Sequence, residues 1–257
     1  MSGDSTPYKL VTLPCGWEAG QFAHLANMTG LGHAVTTKNG LDVQLAATDP
    51  ASTARQVASA MGLDGIAFCK QVHGDTLYRG ESPGLAGDGD GLVTDTPGLG
   101  VMCFSADCPL VLVADNSSQA VGVAHASWRS TVKQITLRLV DRLGDEFNCE
   151  PENLVAGICP SAGPCCYQVG PEVVEAAVRE LGLMAERFFR TSGDRFIFDL
   201  WAANREQLLS AGVRQENIHT AGVCTICHTH TYASYRGEKD SAGRFVAVIG
   251  RPAREGS

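Results

Sequence analysis

The chain has 257 residues, 44% of them hydrophobic and 19% charged, which excludes disorder as the main state and leaves material for one domain with a sizeable core. Twenty Lys and Arg against 28 Asp and Glu give a net charge of -8, a balance that disfavours a nucleic-acid or anionic-membrane surface. No stretch is long and apolar enough to span a membrane.

The opening residues Met1–Pro7 lack the basic and apolar regions of a signal peptide, so the chain reads as cytoplasmic and its ten cysteines as reduced thiols. About ten N-terminal residues are expected to be flexible. A strand is expected at His33–Thr37. Asp49 as N-cap and Pro50 in the first turn open a helix through Met61. Strands follow at Ile66–Val72, Gly91–Thr94, Val101–Ser105, Leu110–Asp115 and Ala120–Ala126. From Ser130 to Leu143, Val132, Ile135, Leu139, Val140 and Leu143 share one helical face, with Gly144 as the expected stop. Leu154–Ile158 is a strand, and Gly170-Pro171 opens a helix to about Leu181. Arg195–Asp199 is a strand, Leu200–Ala211 a helix, and Ile218–Ala221 and Arg244–Ile249 are strands. Neither a repeat nor a linker divides the chain. The expectation is a single α/β (α+β) domain, with mixed β-sheets covered by helices.

Three of these strands run into a metal-ligand type followed by a turn. They give Lys70-Gln71-Val72-His73-Gly74, Ala106-Asp107-Cys108-Pro109 and His125-Ala126-Ser127-Trp128-Arg129. His73, Cys108 and His125 form a His₂Cys set whose softness suits Zn²⁺ or copper, and three protein ligands leave a fourth position open. The alternative is two unrelated histidines and a buried cysteine. Arg129, at the start of the helix expected from Ser130, offers a guanidinium beside a positive helix end, a combination that binds anions; otherwise it is a surface charge.

Other motifs exclude chemistry. Cys224-Thr225-Ile226-Cys227-His228 has the spacing of a c-type haem attachment, but no export signal accompanies it. A structural zinc there would need a second ligand pair, and Cys165-Cys166 has poor spacing for one, so neither haem nor a structural metal is expected. Gly87-Asp88-Gly89-Asp90-Gly91 lacks the later oxygen ligands of a calcium loop. There is no phosphate-binding glycine loop.

Lys70–Gly74, Asp90-Gly91-Leu92-Val93-Thr94, Ala106–Pro109, His125–Arg129 and Gly163-Pro164-Cys165-Cys166-Tyr167-Gln168-Val169-Gly170 stand in one order. With Cys224-Thr225, Ser234-Tyr235-Arg236 and Gly243-Arg244-Phe245, this order resembles the YfiH-type laccase-domain family, described both as polyphenol oxidases and as purine nucleoside phosphorylases. The resemblance runs from about residue 33 to 250. It implies one Zn²⁺ on His73, Cys108 and His125, with copper as the alternative metal. It also implies phosphorolysis of adenosine, inosine and methylthioadenosine, with adenosine deamination alongside. Nucleoside and phosphate are then the partners. Asp107 is expected as general acid/base or as an orienter of the metal ligands, with Cys108 beside it in the chemistry. Gln71, Lys38 and Arg129 are expected to hold substrate or phosphate. Two departures stand out: the family's H-A-G-W-R-G has serine at Ser127 and Ser130, and its S-T-R motif has Lys38 in place of arginine. Copper-based phenol oxidation, a Cys108–His125 amide hydrolase and a metal-binding interaction module are the rival readings. Seven histidines are too few for the usual multicopper arrangement.

Overall fold

In the computed structural model, residues 7–253 are described. Most of the start expected to be flexible lies outside them, whereas Tyr8–Leu10 belong to the first strand. The strands in chain order are β1 (Tyr8–Thr12), β2 (Glu18–Phe22), β3 (Gly32–Thr36), β4 (Gly65–Lys70), β5 (Leu77–Arg79), β6 (Gly84–Asp88), β7 (Gly91–Thr94) and β8 (Leu99–Ser105). Then come β9 (Leu110–Asp115), β10 (Val121–His125), β11 (Leu154–Ile158), β12 (Gln168–Val169), β13 (Phe189–Ser192), β14 (Arg195–Phe198), β15 (Ile218–Thr220) and β16 (Phe245–Gly250). The helices are α1 (Ala23–Ala26), α2 (Val43–Thr48), α3 (Pro50–Met61), α4 (Trp128–Val132), α5 (Ile135–Phe147), α6 (Pro171–Leu181), α7 (Leu200–Ser210) and α8 (Tyr235–Glu238).

The strands form one sheet in the order β1-β2-β3-β16-β8-β4-β6, a second in the order β15-β11-β9-β10-β7-β5, and a small third, β12-β14-β13. Both large sheets are mixed: β4 is parallel to β6 and β8, and β11 to β15, while most other neighbours run antiparallel. Successive side chains of a strand point to opposite faces, and the sequence uses both. In β9, Leu110, Leu112 and Ala114 face a core between the two large sheets, while Val111 and Val113 face helices. In β16, Phe245, Ala247 and Ile249 enter the same inter-sheet core, and Val246 and Val248 pack under α2 and α3. The architecture is therefore helix, sheet, sheet, helix, with α5 and α7 on the second sheet. Phe22 reaches across from the first sheet onto Gly157 of β11, where a Cβ would meet its ring at 2.6 Å. Close contact of the two sheets requires glycine there.

The helix expected from Ser130 to Leu143 is two helices. Gln134, at φ 63° and ψ 38°, adopts a left-handed conformation between α4 and α5. The break is held from α7: Gln207 Nε2 donates to the Thr131 carbonyl at 2.7 Å, and its Oε1 accepts the Thr136 N–H at 3.2 Å. Buried Asn204 takes the Thr136 hydroxyl at 2.6 Å. Backbone groups freed by the break are thus paired inside the core. Gly144 does not stop α5; the helix runs on to Phe147 and ends at left-handed Asn148.

Candidate functional site

The three expected metal ligands arrive from both large sheets. His73 follows β4 of the first sheet, Cys108 lies in the turn between β8 and β9, and His125 ends β10 of the second sheet. Their ligand atoms all lie within 4.8 Å of one another, and the His73 and His125 rings meet edge-on with centroids 5.0 Å apart. Bond lengths of about 2.3 Å to sulfur and 2.0–2.1 Å to nitrogen put tetrahedral ligands about 3.3–3.8 Å apart, so a modest contraction brings the trio onto zinc.

Asp90, just before β7, organises this trio. Its Oδ1 lies 2.8 Å from His125 Nδ1, which directs Nε2 to the ligand position. Its carboxylate also accepts the backbone N–H groups of Val72, His73 and Gly74 at 3.2, 3.0 and 2.6 Å. His73 has φ 59°, a left-handed conformation that these bonds hold in place. Burial raises the Asp90 carboxyl, but His125 and the N–H donors outweigh it and keep it below the ordinary carboxylate range. Burial likewise raises the Cys108 thiol, yet His125 and His73 bring it down to about 6. Burial lowers His125, while Cys108 and Asp90 hold it up at about 9. The contact thus favours the thiolate of Cys108, the form that binds a metal. Asp90 was given no site role from sequence, where its stretch was rejected as a calcium loop and otherwise entered only as one motif of the resemblance.

Asp107 is buried with φ 99°, and both of its carboxylate oxygens are hydrogen-bonded. Oδ1 accepts the hydroxyls of Thr225 and Ser234, both at 2.7 Å, and Oδ2 accepts the Arg236 N–H at 2.6 Å. Of the two roles expected for it, this geometry favours the orienter: Asp107 ties the Cys108 turn to the segment that closes the chain. Gln71 exchanges two hydrogen bonds with the Phe104 backbone, at 2.8 and 2.7 Å, and so fastens the loop to β8.

The trio lies in a cleft of about 530 Å³, whose lining includes Gln71, Phe104, Asp107, Tyr167, Arg236 and Arg244. Lys38 and Arg129 are not brought into this lining. The Lys38 ammonium instead pairs with Glu238 at 2.5 Å and donates to the Thr229 carbonyl at 2.6 Å. The Arg129 guanidinium stacks 4.4 Å over the Trp128 ring. The helix end offered to an anion is also taken, because the Ser127 hydroxyl caps α4 by accepting the Ser130 N–H at 3.1 Å. Ser127 is therefore a helix cap here. The cleft's guanidiniums are Arg236, held 4.8 Å over the Tyr167 ring, and Arg244. Sequence reasoning placed both only in a closing motif, without a role.

The fold also corrects the reading of the remaining cysteines. The expectation that Cys224 and Cys227 lack a second ligand pair fails, because Cys165 and Cys166 lie with them in one cluster, all four sulfurs within 4.8 Å. No helix among the described residues is long and apolar enough to cross a membrane.

Comparison with known proteins places the chain in a family. A protein named purine nucleoside phosphorylase YlmD, from Geobacillus stearothermophilus, is 34% identical over 230 residues, 82% of each chain. A purine nucleoside phosphorylase of Deinococcus radiodurans is 35% identical over 241 residues, 87% of this chain and 90% of that one. Among solved structures, YlmD from Geobacillus stearothermophilus superposes with a TM-score of 0.80 at 29% identity, over 88% of this chain and 93% of that one. The Bacillus licheniformis protein YfiH gives 0.79 at 27% identity, over 88% and 94%. Residues 35–252 match the family described as multi-copper polyphenol oxidoreductase laccase, and the chain belongs to that family.

Proposed function

We propose that the cleft carries out phosphorolysis of purine nucleosides, with adenosine deamination as a second reaction, and that His73, Cys108 and His125 hold one zinc ion. The observation that carries the reading is the union, in one cleft, of that ligand trio with two guanidiniums and aromatic walls. Similarity to relatives named purine nucleoside phosphorylases supports it. The donor set fits zinc: one soft thiolate and two imidazoles, one of them oriented by a carboxylate. A zinc ion held there would supply a Lewis acid beside the bound purine.

The chain's own residues do the rest. Arg236 and Arg244 bind the phosphate dianion and bring one of its oxygens to the anomeric carbon of the ribose. That oxygen forms the new C–O bond while the glycosidic C–N bond breaks, and the electron pair leaves on the purine, which takes up a proton. Free base and ribose 1-phosphate result. Tyr167 and Phe104 offer faces for the base or sugar and keep water from the anomeric carbon. Asp107 and Gln71 position the loops on which these groups stand.

Zinc-loaded protein incubated with adenosine and phosphate tests the reading. Adenine with ribose 1-phosphate is the expected main product, and inosine reports deamination. Turnover of phenols or amides with no change in adenosine would overturn it.

A further inference from the structure

Outside the cleft, four cysteines that the proposed chemistry does not use converge from two distant segments. Cys165 and Cys166 sit in the turn after Gly163-Pro164, and Cys224 and Cys227 sit in the segment leading to α8. The backbone sets their register: Ser161 N–H donates to the Val223 carbonyl at 3.1 Å, and Thr225 N–H to the Ser161 carbonyl at 3.0 Å. Gly163 N–H donates to Cys224 Sγ at 3.3 Å, as donors to sulfur do around metal-bound thiolates. Gly163 also has no room for a Cβ, which would meet the Trp201 ring at 2.7 Å and Cys224 Cβ at 3.1 Å. The close approach of the two segments is built in.

The sulfur spacing is informative. Cys227 Sγ lies 3.3 Å from Cys166 Sγ and 3.8 Å from Cys165 Sγ, and all four sulfurs fall within 4.8 Å of one another. Zinc–sulfur bonds of about 2.3 Å place the corners of a tetrahedron about 3.8 Å apart.

We infer that Cys165, Cys166, Cys224 and Cys227 form a second, structural zinc site, a tetrathiolate that clips the loop after β11 to the closing segment of the chain. Loading releases the thiol protons and leaves a cluster with a net charge of -2. The Arg190 guanidinium donates to the carbonyl of Pro164, the residue before Cys165, at 2.5 Å and so brings a positive charge to this turn. Two of the four thiols are exposed, so the ion has a path in. The clip also bears on the cleft. Thr225, next to Cys224, donates to Asp107, and Ala162 N–H donates to the Asp107 carbonyl at 2.7 Å. Zinc here would tighten the frame that holds the Cys108 turn, without itself touching substrate.

The test uses the full chain, produced with zinc under reducing conditions and counted for metal by elemental analysis. Cys108→Ala, which removes a ligand of the cleft trio, should retain about one zinc per chain, and Cys108→Ala/Cys227→Ser should retain none. Should the double variant fail to fold, thiol alkylation of Cys108→Ala answers the same question. Cys165, Cys166, Cys224 and Cys227 should resist alkylation until a chelator is added, and then react together. Zinc-free Cys108→Ala, alkylation independent of chelator, or a Cys166–Cys227 disulfide found by peptide mapping would each overturn the inference. Because Cys108→Ala already disables the cleft trio, the result stands whether or not the proposed nucleoside chemistry holds.

Discussion

Asp90 is the side chain on which the cleft's metal-ligand geometry turns. It accepts three backbone N–H groups and orients His125, so its charge and its shape contribute separately. Asp90→Asn keeps the shape but removes the carboxylate that raises the basicity of the imidazole. Zinc affinity at the trio, measured by competition with a chromophoric chelator in a Cys227→Ser background, should fall about ten- to a hundredfold. The guanidiniums give a second expectation. Arg236→Ala or Arg244→Ala should lower kcat/KM for phosphorolysis by about ten- to a hundredfold, the loss of one charge-assisted contact, with a smaller effect on deamination. Lys38→Ala and Arg129→Ala should leave the two reactions in their original ratio, since the first cation is paired with Glu238 and the second rests on Trp128. An unchanged Arg236→Ala enzyme beside a crippled Arg129→Ala enzyme would return the phosphate to the helix start. The ligand trio was legible in the sequence because each member ends a strand or stands within three residues of a strand's end. Arg236 was not, because its place over Tyr167 depends on a long-range closure that spacing does not encode.

The regular elements were legible where one periodicity dominates. Pro50–Met61 carries its cap, its first-turn proline and its left-handed Gly62 in sequence, and the structure agrees at both ends. The apolar strands β9 and β11 fall where their runs begin and end. β6 escaped because its glycine-rich stretch has no apolar alternation, and β1 because its side chains are mostly exposed. The break at Gln134 also escaped, since the helical face continues across it and its cause sits 73 residues later, at Gln207. That dependence is testable. Gln207→Leu preserves volume but orphans the Thr136 N–H and leaves the Thr131 carbonyl only the Gln134 N–H, and an orphaned buried group costs about 1–3 kcal/mol. Chemical denaturation should show a loss in that range or above. Gln134→Gly should instead raise the midpoint slightly, by relieving about 1 kcal/mol of left-handed strain. A neutral Gln207→Leu would mean that water or a shifted helix replaces the bridge.

At the scale of the molecule, the class of fold followed from mixed strands and amphipathic helices, but the pairing order of two packed sheets did not. One consequence of that packing is a pH-dependent stability. His33, in β3, is 1% exposed and accepts the Phe22 N–H on Nε2 at 2.9 Å. Burial lowers its pKa from 6.5 to about 4. Native His33 stays neutral while the unfolded chain takes up a proton, so its contribution is present above pH 6.5 and is lost as pH falls toward 4. A shift of that size corresponds to about 3 kcal/mol at most. His219, also lowered to about 4 by burial and by His24, adds in the same direction. His33→Gln keeps an acceptor for the Phe22 N–H and should flatten part of the decline in Tm between pH 6.5 and 4. An unaltered pH profile would remove His33 from the account.

The central position of β16 has a consequence for synthesis. Phe245–Gly250 lies between β3 and β8 and pairs with both, although those partners begin more than 210 and 140 residues earlier in the chain. While the chain is being made, β3 and β8 each present an open strand edge that β16 later closes. Emerging chains are thus exposed to mispairing with one another until β16 has left the ribosome. A shielding chaperone would matter most in that interval, and its need should disappear once Gly250 has emerged.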